Sequence, residues 1–253
     1  MVRIEGATVL VTGANRGIGR ALLTEFLARG AGRVYAAARN PAALFSAPAA
    51  GHDDGRVVPL RVDLTEPATI AAAAEAAPDV TLLVNNAASH GVGHLLDMDL
   101  DVVDSVMRTN YLGTLRMVRA FVPVVARNGG GAIVNVISVG AFGGTPSLGG
   151  YPASKAALNS LTQAIRQDLA PRSITVHGVF PGPVDTDMLD YVVGHEPTFG
   201  EFARATPGEV ARATLDALAS GDEEIFPDAF SEQLREEWER DPRAVERRLC
   251  GMV

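Results

Sequence analysis

The chain has 253 residues, of which 47% are hydrophobic and 21% are charged, and its formal net charge is −8. These values are typical of one large globular domain, and the negative charge argues against a protein that binds nucleic acid or an anionic membrane. The single cysteine, Cys250, excludes an intrachain disulfide and a cysteine-cluster metal site, and we predict no other metal site. No signal peptide or membrane-spanning run is visible, so we expect a cytoplasmic protein.

A phosphate-binding pattern stands near the start of the chain. Residues 7–12 are apolar and rich in β-branched side chains, which predicts a buried strand, and residues 20–29 are predicted to form a helix. Between them, Gly13 permits a sharp turn, Gly17 lets a pyrophosphate approach the backbone, and Gly19 lets the helix pack closely on the strand. The positive end of the helix then faces the phosphates. The alternative is a plain tight turn.

The end of the second predicted strand, residues 33–38, indicates which nucleotide is preferred. Arg39 follows that strand, at the place where an acidic residue would hold the adenosine ribose of NAD. An arginine there can pair with the 2′-phosphate of NADP, and we expect Arg16 in the glycine turn to reach the same phosphate. The alternative is that Arg39 is a solvated strand end.

Two further strand ends carry polar side chains. Residues 57–62 predict the third strand, after which Asp63 can accept a hydrogen bond from the adenine amino group or cap a helix that starts near residue 67, where Thr65 would be the better cap. Residues 41–55 are predicted to form a short helix that gives way to a loop. Residues 80–84 predict the fourth strand, and Asn86 follows it with an amide that can bind backbone or ribose groups.

A long helical region is predicted for residues 97–127, with Asn110 inside it. Asparagine is a poor helix-interior residue, so Asn110 is either a surface residue or has a specific role. The fifth strand, residues 132–137, ends at Ser138, and a glycine-rich loop over residues 139–150 follows. Ser138 therefore stands at a carboxyl end of the sheet, where open α/β sheets bind ligands.

Tyr151 and Lys155 stand four residues apart at the start of a helix predicted for residues 152–170. Positions i and i+4 share one helix face, so the phenol and the ammonium can reach the same small volume. A neighbouring cation lowers the pKa of a phenol, which would make Tyr151 a proton donor and acceptor. Such pairs are also common on helices without any catalytic role.

The remaining chain completes an alternation of strands and helices. A sixth strand over residues 174–180, a helix over 207–219 and a short strand over 223–227 are predicted, with a mobile lid over the substrate at residues 187–206 and a helical tail at residues 229–253. The predicted fold is α/β: a single Rossmann domain over residues 1–253, with a doubly wound parallel sheet of about seven strands and helices on both faces.

These residues together resemble the short-chain dehydrogenase/reductase family over about residues 7–228. The resemblance implies that Tyr151 is the proton donor in carbonyl reduction and that Lys155 binds the nicotinamide ribose and lowers the pKa of Tyr151. It also implies that Ser138 binds the substrate oxygen and that Asn110 holds a water for proton relay. The implied cofactor-binding residues are Gly13, Asn15, Arg16, Gly17, Ile18, Gly19, Arg39, Asp63, Leu64, Asn86, Tyr151, Lys155, Pro181, Gly182, Val184 and Thr186.

The family resemblance and Arg39 together predict an NADPH-dependent reductase of a ketone or aldehyde. The alternatives are an NAD-dependent alcohol dehydrogenase and a non-catalytic NADP(H) sensor.

The chain departs from the family at two places. Ala88 stands where glycine is usual, and the tail around Trp238 is longer than in many members. This tail would cover a subunit partner, the mouth of the active site or its own subunit. The family forms homodimers or homotetramers, which we expect here too. The five histidines, His90 among them, are expected to be surface or loop residues. A hydrophobic substrate is suggested by Phe142, Leu148, Met188, Leu189, Tyr191, Phe199 and Phe202.

Overall fold

The centre of the molecule is a parallel sheet of seven strands. The computed structural model describes residues 1–44 and 55–251. In that part of the chain, the strands lie in the order β3-β2-β1-β4-β5-β6-β7, and every neighbouring pair is parallel. The predicted Rossmann fold is confirmed. The strands are β1 (Thr8–Thr12), β2 (Arg33–Ala38), β3 (Val57–Arg61), β4 (Leu82–Asn85), β5 (Gly131–Val136), β6 (Ile174–Val179) and β7 (Glu224–Ile225).

Helices cover both faces of the sheet, because alternate residues of the inner strands are apolar on both sides. Val9 of β1 joins one core cluster with Phe26 and Leu215, whereas Leu10 joins the other with Met117 and Phe121. The helices are α1 (Gly17–Ala28), α2 (Pro67–Ala76), α3 (Leu100–Met107), α4 (Thr114–Arg127), α5 (Tyr151–Leu169), α6 (Asp187–His195), α7 (Pro207–Ser220), α8 (Ala229–Arg240) and α9 (Pro242–Cys250).

Strand β1 marks the place where the order of the strands in the sheet reverses: β2 and β3 lie on one side of it and β4 to β7 on the other. It pairs with β2 on one side and with β4 on the other, so the connections that leave β1 and β4 diverge to opposite sides. A crevice therefore opens at the carboxyl ends of these strands, which is where open α/β sheets bind ligands. Most of the predicted site residues follow the carboxyl ends of strands in this sheet.

The long helical region differs from the prediction at its centre. A π-helical turn, Arg108–Gly113, separates α3 from α4, and Asn110 lies inside it. The apolar pattern continues through this turn, so periodicity alone did not reveal it.

The predicted lid, residues 187–206, has helical structure. It contains α6 and a 3₁₀ helix, Pro197–Glu201. Thr186 caps α6, its hydroxyl accepting from the Leu189 N–H at 3.4 Å, and two acidic residues stand in the first turn. The short length of both helices hid their period.

The helical tail is two helices rather than one. Asp241 has an extended backbone between α8 and α9, and its side chain accepts from the Arg243 N–H at 3.0 Å, while Pro242 occupies the first turn of α9. Of the segment predicted over residues 41–55, Pro41–Leu44 is a 3₁₀ helix and residues 45–54 lie outside the described residues. No helix in residues 1–44 and 55–251 is long and apolar enough to cross a membrane.

Candidate active site

Ser138 lies directly after β5 with a backbone conformation that only glycine adopts easily. Its φ is 152° and its ψ is 155°. Hydrogen bonds hold both neighbours, from the Ile137 N–H to the Val179 oxygen at 2.7 Å and from the Val139 N–H to the Pro181 oxygen at 3.1 Å. The strained conformation, which costs about 1–3 kcal/mol, is therefore fixed by the adjacent chain. The Ser138 hydroxyl accepts from the Gly140 N–H at 3.1 Å and lies near enough to Tyr151 to lower the pKa of its phenol.

Tyr151 and Lys155 occupy the first turns of α5, and both face the crevice. The Lys155 Nζ lies 5.5 Å from the centre of the Tyr151 ring and donates to the Val136 carbonyl oxygen at 2.9 Å. The ammonium group is therefore beside the ring and anchored to the end of β5. The i, i+4 prediction that the two side chains share one volume agrees with this geometry.

The pKa of Tyr151 was expected to be lowered, but the protein's own groups raise it. Burial raises the pKa of Tyr151 to about 12, and the hydrogen bond from Ser138 offsets only part of that rise. Burial also lowers the pKa of Lys155 to about 7. The prediction assumed a hydrated, fully charged lysine, whereas Lys155 is 2% exposed and loses much of its charge near neutral pH.

Asn110 supports the site from behind. Its amide nitrogen donates to the Ser89 carbonyl oxygen at 2.8 Å and to the Ser154 hydroxyl at 2.9 Å, and its oxygen accepts from the Ser89 N–H at 2.8 Å. The Ser154 hydroxyl donates in turn to the Tyr151 carbonyl oxygen at 2.7 Å. Asn110 thus fixes the chain after β4 to the first turn of α5. The implied water relay stays a prediction.

The glycine turn has the shape that a phosphate site requires. Gly13 and Gly17 have positive φ values of 67° and 53°. A side chain at Gly19 would collide with the Gly13 carbonyl oxygen and with the amide of Asn86. That amide donates to the Thr12 carbonyl oxygen at 2.8 Å, so Asn86 holds the turn against β4. The first N–H groups of α1 are left free to face an anion.

Two arginines line the cavity as well. They are Arg16 and Arg39, and Arg39 lies near Asp63. Burial tends to raise the pKa of Asp63, but hydrogen bonds from Thr65 and the positive charges of Arg39 and Arg61 hold it below its ordinary value. The carboxylate is therefore ionised at neutral pH and accepts from the Thr65 N–H and hydroxyl at 2.9 and 2.7 Å. Neither residue caps α2: its N-cap is Glu66, which makes no side-chain capping bond, so that expectation was wrong.

The segment after β6 is held by a residue that the sequence did not indicate. Asp228, the N-cap of α8, accepts from the Gly182 N–H at 2.8 Å and from the Ser231 N–H at 2.8 Å. Val184 forms a bridge with Ala205, and the Thr186 hydroxyl donates to the Val184 carbonyl oxygen at 3.1 Å. Asp228 and Gly182 are 46 residues apart in the sequence, so local patterns did not reveal their contact.

These elements enclose a cavity of about 650 Å³. All the predicted site residues line it except Gly19 and Asn110, which support its walls. The predicted residues that line it are Gly13, Asn15, Arg16, Gly17, Ile18, Arg39, Asp63, Leu64, Asn86, Ser138, Tyr151, Lys155, Pro181, Gly182, Val184 and Thr186.

The apolar part of the cavity differs from the prediction at two positions. Phe142 and Tyr191 do not line it: Phe142 packs 5.2 Å from both Phe180 and Trp238, and Tyr191 is 53% exposed. Trp238 therefore packs on its own subunit, against the loop that follows Ser138. The tail also reaches the cavity, through Leu249 of α9, which agrees with the alternative that it covers the mouth of the active site.

The histidines also depart from the prediction. His177 is buried within β6, where its ring nitrogens lie 2.6 Å from the Asp222 carbonyl oxygen and 2.8 Å from the Thr175 hydroxyl. His90 lies in a loop, as predicted, but it is partly buried and lines the cavity. Residues 1–44 and 55–251 contain no group of three or more potential metal ligands.

Comparison with known proteins decides the family. The model of the short chain dehydrogenase family matches residues 7–196. The chain belongs to this family. A short-chain dehydrogenase/reductase is an oxidoreductase, so the cavity with Ser138, Tyr151 and Lys155 is the candidate active site of an enzyme.

Several known short-chain dehydrogenases are similar to the chain. A solved structure from Burkholderia cenocepacia in complex with NADP is 38% identical, with a TM-score of 0.87 and 98% of each chain covered. One from Burkholderia phymatum in complex with NAD is 26% identical, with a TM-score of 0.82, and covers 95% of this chain and 96% of that one. A sorbitol dehydrogenase from Cereibacter sphaeroides is 32% identical over 87% of this chain and 86% of its own length.

Proposed function

We propose that this short-chain dehydrogenase reduces a neutral ketone or aldehyde to an alcohol at the expense of NADPH. The observation that carries the proposal is that Ser138, Tyr151 and Lys155 line one cavity that Arg16 and Arg39 also line. The bound NADP in the Burkholderia cenocepacia relative supports the choice of nucleotide.

The residues of the cavity fit a nicotinamide dinucleotide. The free N–H groups at the start of α1 and the positive φ values of Gly13 and Gly17 suit a pyrophosphate, and Arg16 and Arg39 would pair with the 2′-phosphate. Val184 and Thr186 would hold the carboxamide at the far end. The dinucleotide supplies a hydride, and the protein supplies orientation and charge placement.

The protein's own groups are suited to donating a proton. The Ser138 hydroxyl would hold the substrate oxygen beside Tyr151 and stabilise the negative charge that develops there. With a pKa of about 12, the Tyr151 phenol keeps its proton until an alkoxide, which is more basic than a phenolate, is present to accept it. Lys155, with a pKa of about 7, is charged in part of the molecules at neutral pH, and that charge would stabilise the resulting phenolate. The alcohol gains a C–H bond from the hydride that the dinucleotide would supply and an O–H bond from the Tyr151 proton, as the carbonyl π bond breaks. The Tyr151 phenolate would then regain its proton from water.

Oxidation of an alcohol is the second candidate, because one relative is a sorbitol dehydrogenase and another binds NAD. The wall of the cavity argues against a polyol substrate, since Leu148, Phe199, Phe202 and Leu249 present apolar surface there. The arginine pair argues against NAD. A sensor without turnover would not require Tyr151 and Lys155 at this position. The cytoplasmic location and the homo-oligomeric state stay predictions.

The proposal is tested by titrating the purified protein with NADPH and with NADH while following nucleotide fluorescence, and then adding aromatic and aliphatic ketones and aldehydes. We expect tighter binding of NADPH and its oxidation by some of these carbonyl compounds. Preference for NADH would contradict the assigned nucleotide, and tight NADPH binding without turnover would favour the sensor.

A further inference from the structure

Two adjacent side chains of the cavity carry polar atoms that the protein leaves unused. The Ser89 Oγ and the His90 Nε2 are enclosed, and neither has a hydrogen-bond partner in the part of the chain that the structure describes. Both residues line the cavity. An enclosed polar atom without a partner costs about 1–3 kcal/mol, so two neighbouring ones in a binding cavity indicate that a ligand completes them.

The backbone here is rigid, so the unused atoms are not the result of a loose loop. Asn110 bonds both the N–H and the carbonyl oxygen of Ser89 at 2.8 Å. The His90 ring packs edge-on against Tyr191 of α6, with 5.2 Å between ring centres. Both side chains are therefore held in place before any ligand binds.

The His90 imidazole is neutral at pH 7. Burial lowers the pKa of His90, and the charges of Arg16 and His195 lower it further. A neutral imidazole has one N–H and one lone pair, so it can donate to a carbonyl oxygen or accept from a hydroxyl. It offers no charge to attract a carboxylate.

The position of Ser89 and His90 places them beside the reacting groups. They follow β4, which is the neighbour of β5, and β5 leads into Ser138. The cavity wall contributed by the later elements is apolar, with Leu148, Val192, Phe199, Phe202, Phe230 and Leu249. In such a site a few fixed polar groups decide which substrate is accepted.

We propose that Ser89 and His90 bind a second oxygen of the substrate, so that the enzyme selects apolar, uncharged carbonyl compounds carrying a further carbonyl, ester or hydroxyl group. This inference rests on the proposed reductase function, because it concerns the substrate of the same cavity. His90 acts here as a specificity-determining residue, separate from the proton transfer at Tyr151.

The test compares ligands that differ only in the second oxygen function. Hexanophenone is paired with ethyl benzoylacetate, which has a chain of the same length, and propiophenone with 1-phenyl-1,2-propanedione. Binding to the NADP⁺ complex is measured by ligand-observed NMR, and turnover is followed by NADPH absorbance. We expect the oxygenated member of at least one pair to bind about tenfold more tightly and to have a correspondingly higher kcat/KM.

His90→Ala should remove this preference by weakening only the oxygenated ligand, and His90→Gln, which keeps a donor and an acceptor, should restore part of it. The Kd for NADPH should stay within about twofold in both variants, which also shows that they are folded. His94→Ala is the matched control, because His94 is exposed in the same loop and does not line the cavity.

Equal binding of both members in every pair, or a preference that survives His90→Ala, would overturn the inference, and so would a loss of NADPH affinity in the His90 variants. Because binding is measured independently of turnover, failure of the second-oxygen site and failure of the reductase function can be told apart. A preference that depends on His90, without oxidation of NADPH by any ligand, would retain the binding site and reject the reductase.

Discussion

Arg16 donates to Asp187 at 3.0 Å, and this ion pair joins the glycine turn to the first residue of α6. Both side chains are more than half exposed, and Arg16 also lines the cavity. In the proposed function, Arg16 pairs with the 2′-phosphate of NADPH. Asp187 and the nucleotide therefore compete for the same guanidinium group.

Replacing Asp187 with asparagine should strengthen NADPH binding about two- to fivefold, because an exposed ion pair of up to about 1 kcal/mol no longer has to be given up. NADH binding should not change, since NADH lacks the 2′-phosphate. Asp190→Asn is the control, because Asp190 pairs with Arg204 at 2.7 Å instead. An equal gain for both nucleotides in fluorescence titrations would show that Asp187 acts elsewhere.

The Arg39→Asp variant should reverse the nucleotide preference. The substitution removes a cation from beside the proposed 2′-phosphate and places there a carboxylate that can accept from ribose hydroxyls. We expect NADPH affinity to fall about a hundredfold relative to NADH affinity in paired titrations. Arg61→Gln, which removes another cation near Asp63, should leave the preference in place. If the Arg39 variant still preferred NADPH, the proposed pairing of Arg39 with the 2′-phosphate would be wrong.

The sheet and the polar residues that follow its strands could be predicted because each depends on short-range patterns. Ser138 and Arg39 follow the ends of β5 and β2, where polar residues come after apolar runs, and the glycine turn requires backbone conformations that only glycine adopts easily. The contribution of Asp228 could not be predicted, because the fold brings it to Gly182 from a distant position in the chain. The tail was expected to reach the active site only as one of several alternatives, and Leu249 of α9 lines the cavity.

Burial explains the error in the pKa of Tyr151. Spacing on a helix places Lys155 near the phenol, but it does not reveal that both groups are removed from water. The same limitation applies to His90, whose neighbours in the sequence are polar and small while its neighbour in space is Tyr191 of α6. Local patterns identify residue types at a site, and packing then decides their charge.

The strain at Ser138 predicts opposite effects on stability and turnover. Ser138→Ala and Ser138→Gly both remove the hydroxyl, so each should lower kcat about a hundredfold or more. Only glycine relieves the φ of 152°, so the Gly variant should be more stable than the Ala variant by about 1 kcal/mol, or roughly 2–4 °C in Tm. Equal Tm values in thermal unfolding would show that the backbone is not strained there.

Lys155 predicts a pH dependence of stability. Its pKa is about 7 in the folded protein, below the usual 10.5, so the folded state holds fewer protons than the unfolded state between these values. The unfolding free energy should therefore rise with pH from about 7 to 10, by up to about 1.4 kcal/mol per pH unit. The raised pKa of Tyr151 acts only above pH 10, where it lowers stability as the unfolded chain ionises.

The Lys155→Met variant should lose this slope and be more stable than the wild type at pH 7, while losing turnover. Denaturant unfolding of nucleotide-free protein at several pH values between 7 and 10 measures the slope. Because other groups titrate in both proteins, the difference between the two slopes isolates Lys155. Parallel slopes would contradict the burial of a titrating lysine.

The most direct test of the proposed mechanism compares Tyr151→Phe with the wild type in NADPH titration and in NADPH oxidation by a carbonyl compound that the wild type reduces. The change removes the proton donor and keeps the ring beside Lys155. We predict loss of turnover by about a thousandfold or more, with the Kd for NADPH within about twofold of the wild type. Turnover at the wild-type rate in the Phe variant would remove Tyr151 from the reaction and contradict the account.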